Sequence, residues 1–437
     1  MRESAPRGLQ TANVLLPDGW APNVAIYWDE SGLISEIRLS HTDPELPLAQ
    51  GPVVPGMVNA HSHAFQRSMV GRTHSFTSPT DDFWSWREVM YDHLSTINPD
   101  QLEQIASELY LDMTRSGYTS VCEFHYVHCD PDGNLYSDPD AMSVAILNAA
   151  ETAGIGLTLL PVFYEFGGFG EKVLENHQNR FVLSLGDYCD LITRLLDRTR
   201  DNPGIEIGYA PHSLRAVNAR GIHQLLDHRS QHAPSAPFHI HVAEQIREVE
   251  ECTAVLGKRP IEYLFDKVAI DEHWCLVHAT HASSEELALI AASGATVGLC
   301  PTTEADLGDG VFSLSSYLEL GGTIAIGSDS NICVSPFEEI RLLEYVQRLR
   351  LQKRNVEGIT SSLGAGTRRY LQSLFGGSQV TGRPVGHIKE GFSADLLELD
   401  PHHSQLRGKS SDEQLNTVIY SGDSSALAAV IIRGETK

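Results

Sequence analysis

Basic residues are scarce in this chain. Its 437 residues include 32 Lys or Arg against 57 Asp or Glu, a formal charge of −25 at pH 7. That balance excludes nucleic acid or an anionic membrane surface as the main partner, because phosphate recognition needs basic patches. A small anionic substrate stays open, provided cations are placed locally against the overall field. No run of about 18 apolar residues occurs, and the opening MRESAPRGLQ has no apolar stretch of the secretory kind. The expectation is a cytoplasmic protein without a membrane segment. The seven cysteines are scattered, odd in number and never in a C-x-x-C pair. A disulfide framework or a cysteine-based zinc site is therefore not expected. Short-period repeats and low-complexity tracts are also lacking.

What is present is an ordinary globular composition, 41% hydrophobic and 20% charged, long enough to bury a large core without staples. Short runs rich in Val, Ile, Leu or Ala lie at 53–60, 118–124, 156–163, 205–209, 237–242, 274–279, 295–299 and 323–326. Such runs suit strands covered on both faces. Helical patterns lie between most of them, among them 100–116 and 284–292, and 336–352 and 362–374 close the series. Eight strands alternating with helices predict an α/β fold, a (β/α)8 TIM-like barrel, although periodicity alone serves a doubly wound open sheet nearly as well. The ends differ: 24–28 and 33–39 read as a hairpin around Glu30-Ser31-Gly32, and 387–389, 394–399 and 428–433 read as short strands. The expected division is a barrel over 53–380, with 1–52 and 381–437 as two parts of one small β domain.

Polar residues gather at the ends of these runs. The first ends in Asn59-Ala60-His61-Ser62-His63, where side chains two apart share a face of the strand. The fifth reads Phe238-His239-Ile240-His241-Val242-Ala243-Glu244, the sixth ends at His278, and the eighth runs into Ser328-Asp329-Ser330. In a parallel barrel these carboxyl ends meet at one rim. Imidazoles with one carboxylate suit Zn2+ or a similar ion, with a position left for water. Taken singly the pieces are weak. A lone H-x-H more often marks structural histidines, S-D-S a loop or cap, and one His a satisfied core residue. The set in this order is much harder to obtain by accident. At the same rim, His212-Ser213-Leu214-Arg215 follows the fourth strand, and a guanidinium there offers bidentate recognition of a carboxylate. Phe83-Trp84-Ser85-Trp86-Arg87 adds a second arginine, and two arginines in separate rim loops suit a small dicarboxylate.

With these motifs the chain resembles the amidohydrolase superfamily, in its deaminase-like branch. Pro55-Gly56-Met57 leading into His61-Ser62-His63 is similar to that family's first strand, and Gly386-His387-Ile388 with Ala394-Asp395-Leu396 to its C-terminal β segment. The resemblance favours the barrel and implies a small β-sandwich built from both termini. Longer stretches are similar to members that release ammonia from a formimino group in histidine degradation. These are His61-Ser62-His63-Ala64-Phe65-Gln66-Arg67, Phe83-Trp84-Ser85-Trp86-Arg87, Glu123-Phe124-His125-Tyr126, Ala210-Pro211-His212-Ser213-Leu214-Arg215 and the segment from Cys300-Pro301-Thr302-Thr303-Glu304 to Gly310. The resemblance implies one divalent ion, Zn2+ first with Fe2+ or Mn2+ as alternatives, since the fourth strand offers no Lys for a second metal. Its implied ligands are His61, His63, His241 and Asp329, with His239 the alternative to His241. Asp329 would take the water's proton, Glu244 would protonate the leaving nitrogen, and His278 would hold the attacking water or the tetrahedral centre. Arg215 and His212 would bind one substrate carboxylate, and Arg87, Gln66 and Tyr126 the other. A homodimer is implied too. Two competing readings are a deaminase of a purine, pterin or related heterocycle on the same site, and a barrel kept as a non-catalytic binding module.

Overall fold

The computed structural model describes residues 7–74, 82–357 and 362–437. The eight apolar runs form parallel strands: β1 (Met57–Ser62), β2 (Tyr118–His125), β3 (Gly156–Phe163), β4 (Ile205–Ile207), β5 (Phe238–Val242), β6 (Trp274–His278), β7 (Thr296–Leu299) and β8 (Thr323–Ile326). Every residue of β2, β3, β5 and β6 is buried, since helices cover the outside and side chains fill the inside. Strands β1–β4 pair in sequence, as do β5–β8. Parallel bridges Tyr209–Phe238 and Ser62–Asp329 join the two runs at both seams, closing a barrel and excluding the open sheet.

Local chemistry sets the helix limits. Pro99–Ser116 opens with the Asn98 side chain accepting from the Gln101 N–H and with Pro99 at its first position, and it stops at Gly117, φ 102°. The helix at 362–374 instead runs Ala365–Thr381, straight through Gly376-Gly377. Close packing explains the two glycines: a Cβ on Gly376 would strike the Ile324 carbonyl oxygen, and one on Gly377 would lie 2.8 Å from Val58 Cβ. The last turn of this helix closes the amino end of the barrel. His239 Nε2 bonds the Val380 carbonyl at 2.9 Å, and Thr158 Oγ1 donates to the Thr381 carbonyl at 2.8 Å.

The termini share one seven-stranded sheet, in the order Glu435–Thr436, Leu427–Ile432, Leu396–Leu399, Val53–Pro55, Gly8–Leu16, Gly19–Trp28 and Ile34–Arg38. It has its own core, around Val14, Val24, Ile26, Val53 and Leu396. Four details depart from the sequence reading. The run 53–60 is two strands parted at Gly56, where a Cβ would strike the Thr119 side chain. Gly8–Leu16 is a strand that the sequence did not announce. Residues 387–389 form a turn between left-handed Gly386 and Gly391, with Ile388 buried in the terminal core. Ser411–Ser421 is a helix, capped by Ser410 and Glu413, inside a stretch read as strands and turns. Among the described residues no helix is long and apolar enough to cross a membrane.

Replacing Gly376 with Ala should cost roughly 1–3 kcal/mol, the penalty of overpacking where backbone must shift. Denaturant unfolding measures this, and a variant as stable as the parent would show that helix and strand do not approach so closely.

Candidate metal centre and active site

The geometry begins with three imidazoles. His61 Nε2 lies 3.1 Å from His63 Nε2 and 3.0 Å from His241 Nε2. Asp329 Oδ1 is 3.3 Å from His63 Nε2 and 3.6 Å from His61 Nε2. The outer nitrogens are engaged: His63 Nδ1 donates to the Phe124 carbonyl at 2.8 Å and His241 Nδ1 to the His212 carbonyl at 3.0 Å. Those bonds leave the inner Nε2 atoms of both rings as lone-pair donors. Burial, with the neighbouring imidazoles, holds His61 and His241 well below the usual histidine range and pushes His63 down to about 3. The rings are therefore neutral at pH 7. Unprotonated nitrogens facing one another this closely repel unless a cation lies among them. Tetrahedral zinc with nitrogens at about 2.0–2.1 Å would set its ligands about 3.4 Å apart, close to what is seen. Three imidazoles and a carboxylate thus fit a divalent ion.

His239 does not join them. It also faces the barrel interior, but two residues and about 7 Å deeper, where it bonds the Val380 carbonyl.

The chain leaves the strands under backbone strain. Ala243, His278, Ala279, Asp329 and Asn331 all have left-handed backbones, with φ between 47° and 69°. Such conformations cost about 1 kcal/mol or more in non-glycine residues and persist where surroundings over-determine them. At Asp329 and Asn331 the Asn331 side chain supplies the constraint. Its Nδ2 reaches the carbonyls of His63 and Asp329, each at 3.0 Å, and its Oδ1 accepts from Ser328 Oγ at 2.6 Å. Asn59 braces the other side, accepting from the Ser328 N–H at 3.0 Å. Together they tie β1 to β8 behind the metal-fitting residues.

His278 sits among carboxylates. Its Nε2 is 3.8 Å from Glu244 Oε1 and 3.7 Å from Asp329 Oδ2, and its Nδ1 is 3.3 Å from Glu304 Oε1. Burial alone would lower its pKa, but Glu244, Glu304 and Asp329 outweigh it and raise the imidazole to about 10. Burial lifts Asp329 to about 7; His278 opposes this, while Glu244 and Glu304 add to it. Glu244 is itself held in place, its N–H and that of Ala243 donating to the Glu248 carboxylate at 3.2 and 3.0 Å.

One cavity of ≈ 570 Å³, measured out to its mouth, is lined by His63, His241, Glu244, His278 and Asp329 and by Gln66, Arg87, Tyr126, His212 and Arg215. Of the candidate site residues only His61 lies behind its wall. Gln66 Nε2 donates to Tyr126 OH at 3.0 Å. The Arg87 guanidinium lies 5.2 Å from both the Trp84 and Tyr91 rings, and Arg215 5.7 Å from the Trp84 ring. Arg215 is buried, its Nη2 3.7 Å from Glu244. Among the described residues nothing accepts from its Nε or Nη1. Asn59, Asn331, Glu248 and Glu304 were not singled out from sequence; Asn59 and Glu304 lie inside motifs that were, and Asn331 follows one directly, but their work depends on partners far along the chain.

The chain belongs to the amidohydrolase family, whose model matches residues 53–437. It is 44% identical over 420 residues to the formimidoylglutamate deiminase of Pseudomonas aeruginosa, spanning 96% of this chain and 92% of that one. The crystal structure of an amidohydrolase from Brucella melitensis is 41% identical and superposes with a TM-score of 0.92 over 98% of this chain and 94% of its own. More distantly, the 5-methylthioadenosine/S-adenosylhomocysteine deaminase of Bacillus cereus is 25% identical over 394 residues, 88% of this chain and 80% of that one.

Asn331→Ala would leave buried groups on β1 and β8 unpaired and place Ala in a left-handed backbone. It should cost about 2–4 kcal/mol in urea unfolding. A loss below about 1 kcal/mol would mean that Asn331 does not brace the two strands.

Proposed function

We propose that the protein hydrolyses N-formimino-L-glutamate to N-formyl-L-glutamate and ammonia, a step of histidine degradation. The observation that carries this reading is the buried Arg215 guanidinium, with two donors lacking any acceptor among the described residues and facing the cavity that holds the histidine cluster. Buried unpaired donors are costly, and a carboxylate satisfies a guanidinium bidentately. Arg87 on the same cavity suits the second carboxylate, with Gln66, Tyr126 and His212 as neutral partners. The 44% identity to a formimidoylglutamate deiminase points the same way.

His61, His63, His241 and Asp329 would hold one divalent ion, Zn2+ by its fit to an imidazole-rich set, with Fe2+ and Mn2+ as alternatives. Such an ion lowers the pKa of bound water toward 7 and so makes it nucleophilic at neutral pH. The chain's own groups do the rest. Asp329 accepts a proton from the attacking water as its oxygen bonds the formimino carbon. His278 Nε2, between Asp329 and Glu244, holds the charge that develops on that oxygen. Glu244 pairs as a carboxylate with the cationic formimino nitrogen; the proton that Asp329 took from the water then passes by way of Glu244 to that nitrogen as its bond to carbon breaks and ammonia departs. The free, unpaired cysteines suit a reducing compartment such as the cytoplasm.

Aromatic residues of the wall, Phe83, Trp86, Tyr91 and Phe181, favour a second reading, deamination of a stacked heterocycle. Ammonia release from N-formimino-L-glutamate against a panel of purines and pterins separates the two. The amidine should be the preferred substrate, and Arg215→Met should lower kcat/KM by about 3 kcal/mol, as truncation of a buried charge partner does. Turnover of the heterocycles alone, indifferent to Arg215, would sink the assignment. Metal analysis tests the ligand set independently. His241→Ala should lose the ion and His239→Gln should keep about one equivalent per chain. The reverse result would exchange the roles of the two histidines, and a metal-free parent would favour the non-catalytic module.

A further inference from the structure

The short helix Pro301–Leu307 follows β7 and is anchored from three sides. The Thr302 N–H donates to Glu339 at 2.9 Å, from the helix Pro336–Leu351. Thr303 Oγ1 meets Ser330 Oγ at 2.9 Å and donates to the Ser328 carbonyl at 3.2 Å, just past β8. The Glu304 carboxylate turns back toward the strand ends, where its Oε1 accepts from the Cys300 N–H at 2.9 Å and lies 3.3 Å from His278 Nδ1. Both Glu304 and His278 are buried. His278 itself occupies a left-handed backbone, φ 69°, followed by Ala279 at φ 48°. The strand ends at this residue, and outside groups set the rotation of its ring.

We propose that Glu304 is the positioning residue for His278, holding its Nδ1 so that Nε2 enters the gap between Asp329 and Glu244. The geometry gives the ring two very different edges. One nitrogen meets a carboxylate fixed by a neighbouring backbone N–H. The other stands 3.7 Å from Asp329 Oδ2 and 3.8 Å from Glu244 Oε1, the two groups between which the proton must pass. A histidine whose second nitrogen is pinned by an anion keeps one orientation, and losing the anion costs rate rather than binding. Neither Glu304 nor Glu339 lines the cavity. Glu304 therefore touches no bound ligand and meets the site at His278, and Glu339 fixes the helix that carries it. This role rests on the hydrolytic reading of the site, but not on which substrate is hydrolysed.

Glu304→Gln is the test, since the amide oxygen can still accept from Cys300 while the anion is gone. Turnover at saturating substrate should slow by roughly 30-fold or more, while KM stays within about threefold of the parent and metal content is unchanged. A double-mutant cycle distinguishes positioning from general support: in a His278→Gln background the same substitution should slow turnover by less than about threefold. Fully multiplicative effects, or a Glu304→Gln variant that turns over as fast as the parent, would overturn the assignment. Comparison is made on whichever substrate the parent turns over fastest. Failure with N-formimino-L-glutamate thus counts against the proposed substrate, and failure of the cycle against Glu304.

Discussion

Buried negative charge is the constraint on which the rest of this site depends. Glu244, Glu248, Glu304, Asp309, Asp329 and Glu339 all lie out of water around the ends of β5–β8. A carboxylate stripped of water costs several kcal/mol unless it is paired. Arg215 and His278 supply only part of the matching charge. The remainder shows in the acids themselves: burial raises Asp309 above its usual range and lifts Glu339 to about 8 and Asp329 to about 7. A divalent ion beside Asp329 would remove the need to protonate it. The site is thus most at ease when loaded, so its own acidity favours the cations that its chemistry uses.

That arrangement could not be built on unconstrained loops. His278 and Asp329 stand where a strand ends and the backbone turns left-handed, and Ala243 turns the same way between His241 and Glu244. Strain of this size persists only against a rigid scaffold. One part of the scaffold is the bracing of β1 to β8 through Asn59, Ser328 and Asn331. Another is the helix Ala365–Thr381, which closes the opposite end of the barrel through backbone carbonyls of Val380 and Thr381. The same plug explains the division of labour in Phe238-His239-Ile240-His241. Both histidines face inward, but one holds the floor and the other the rim.

The sequence shows the rim better than it shows its supports. Eight apolar runs and the polar residues at their ends were legible because strand burial and side-chain alternation are local properties. The choice between barrel and open sheet was not, since closure rests on contacts such as Ser62 with Asp329, remote along the chain. Terminal strands were less legible. Gly8–Leu16 gains its place from pairing with Gly19–Trp28 and Val53–Pro55 rather than from its own pattern. The helix through Gly376-Gly377 looked shorter than it is, because glycine weakens a helix in isolation while tight packing favours it here. Arg87 and Arg215 could be placed at one rim, but only the structure shows that Arg215 is buried with donors unmet. The roles of Glu304 and Asn331 were not legible, because their partners, His278 for one and Ser62 and the His63 carbonyl for the other, are brought close only by folding.

A dicarboxylate substrate stands at odds with a chain of net charge −25. Magnitudes decide the matter. Charges scattered over the surface act through water and salt and fade within a Debye length of roughly 8 Å at physiological ionic strength. Arg215 acts from a buried position, where the effective dielectric is several times lower and screening is slight. One well-placed guanidinium therefore outweighs many exposed acids, for binding if not for the rate of approach. Substrate orientation follows from the same local contrast. In the proposed reaction the substrate's carboxylates would answer to Arg215 and Arg87 and its cationic formimino end to Glu244 and Asp329, all in one cavity wall, and the reverse pose would set like charges together on both sides. The charge pattern that would select the proposed ligand would therefore also deliver its reactive carbon to the histidines.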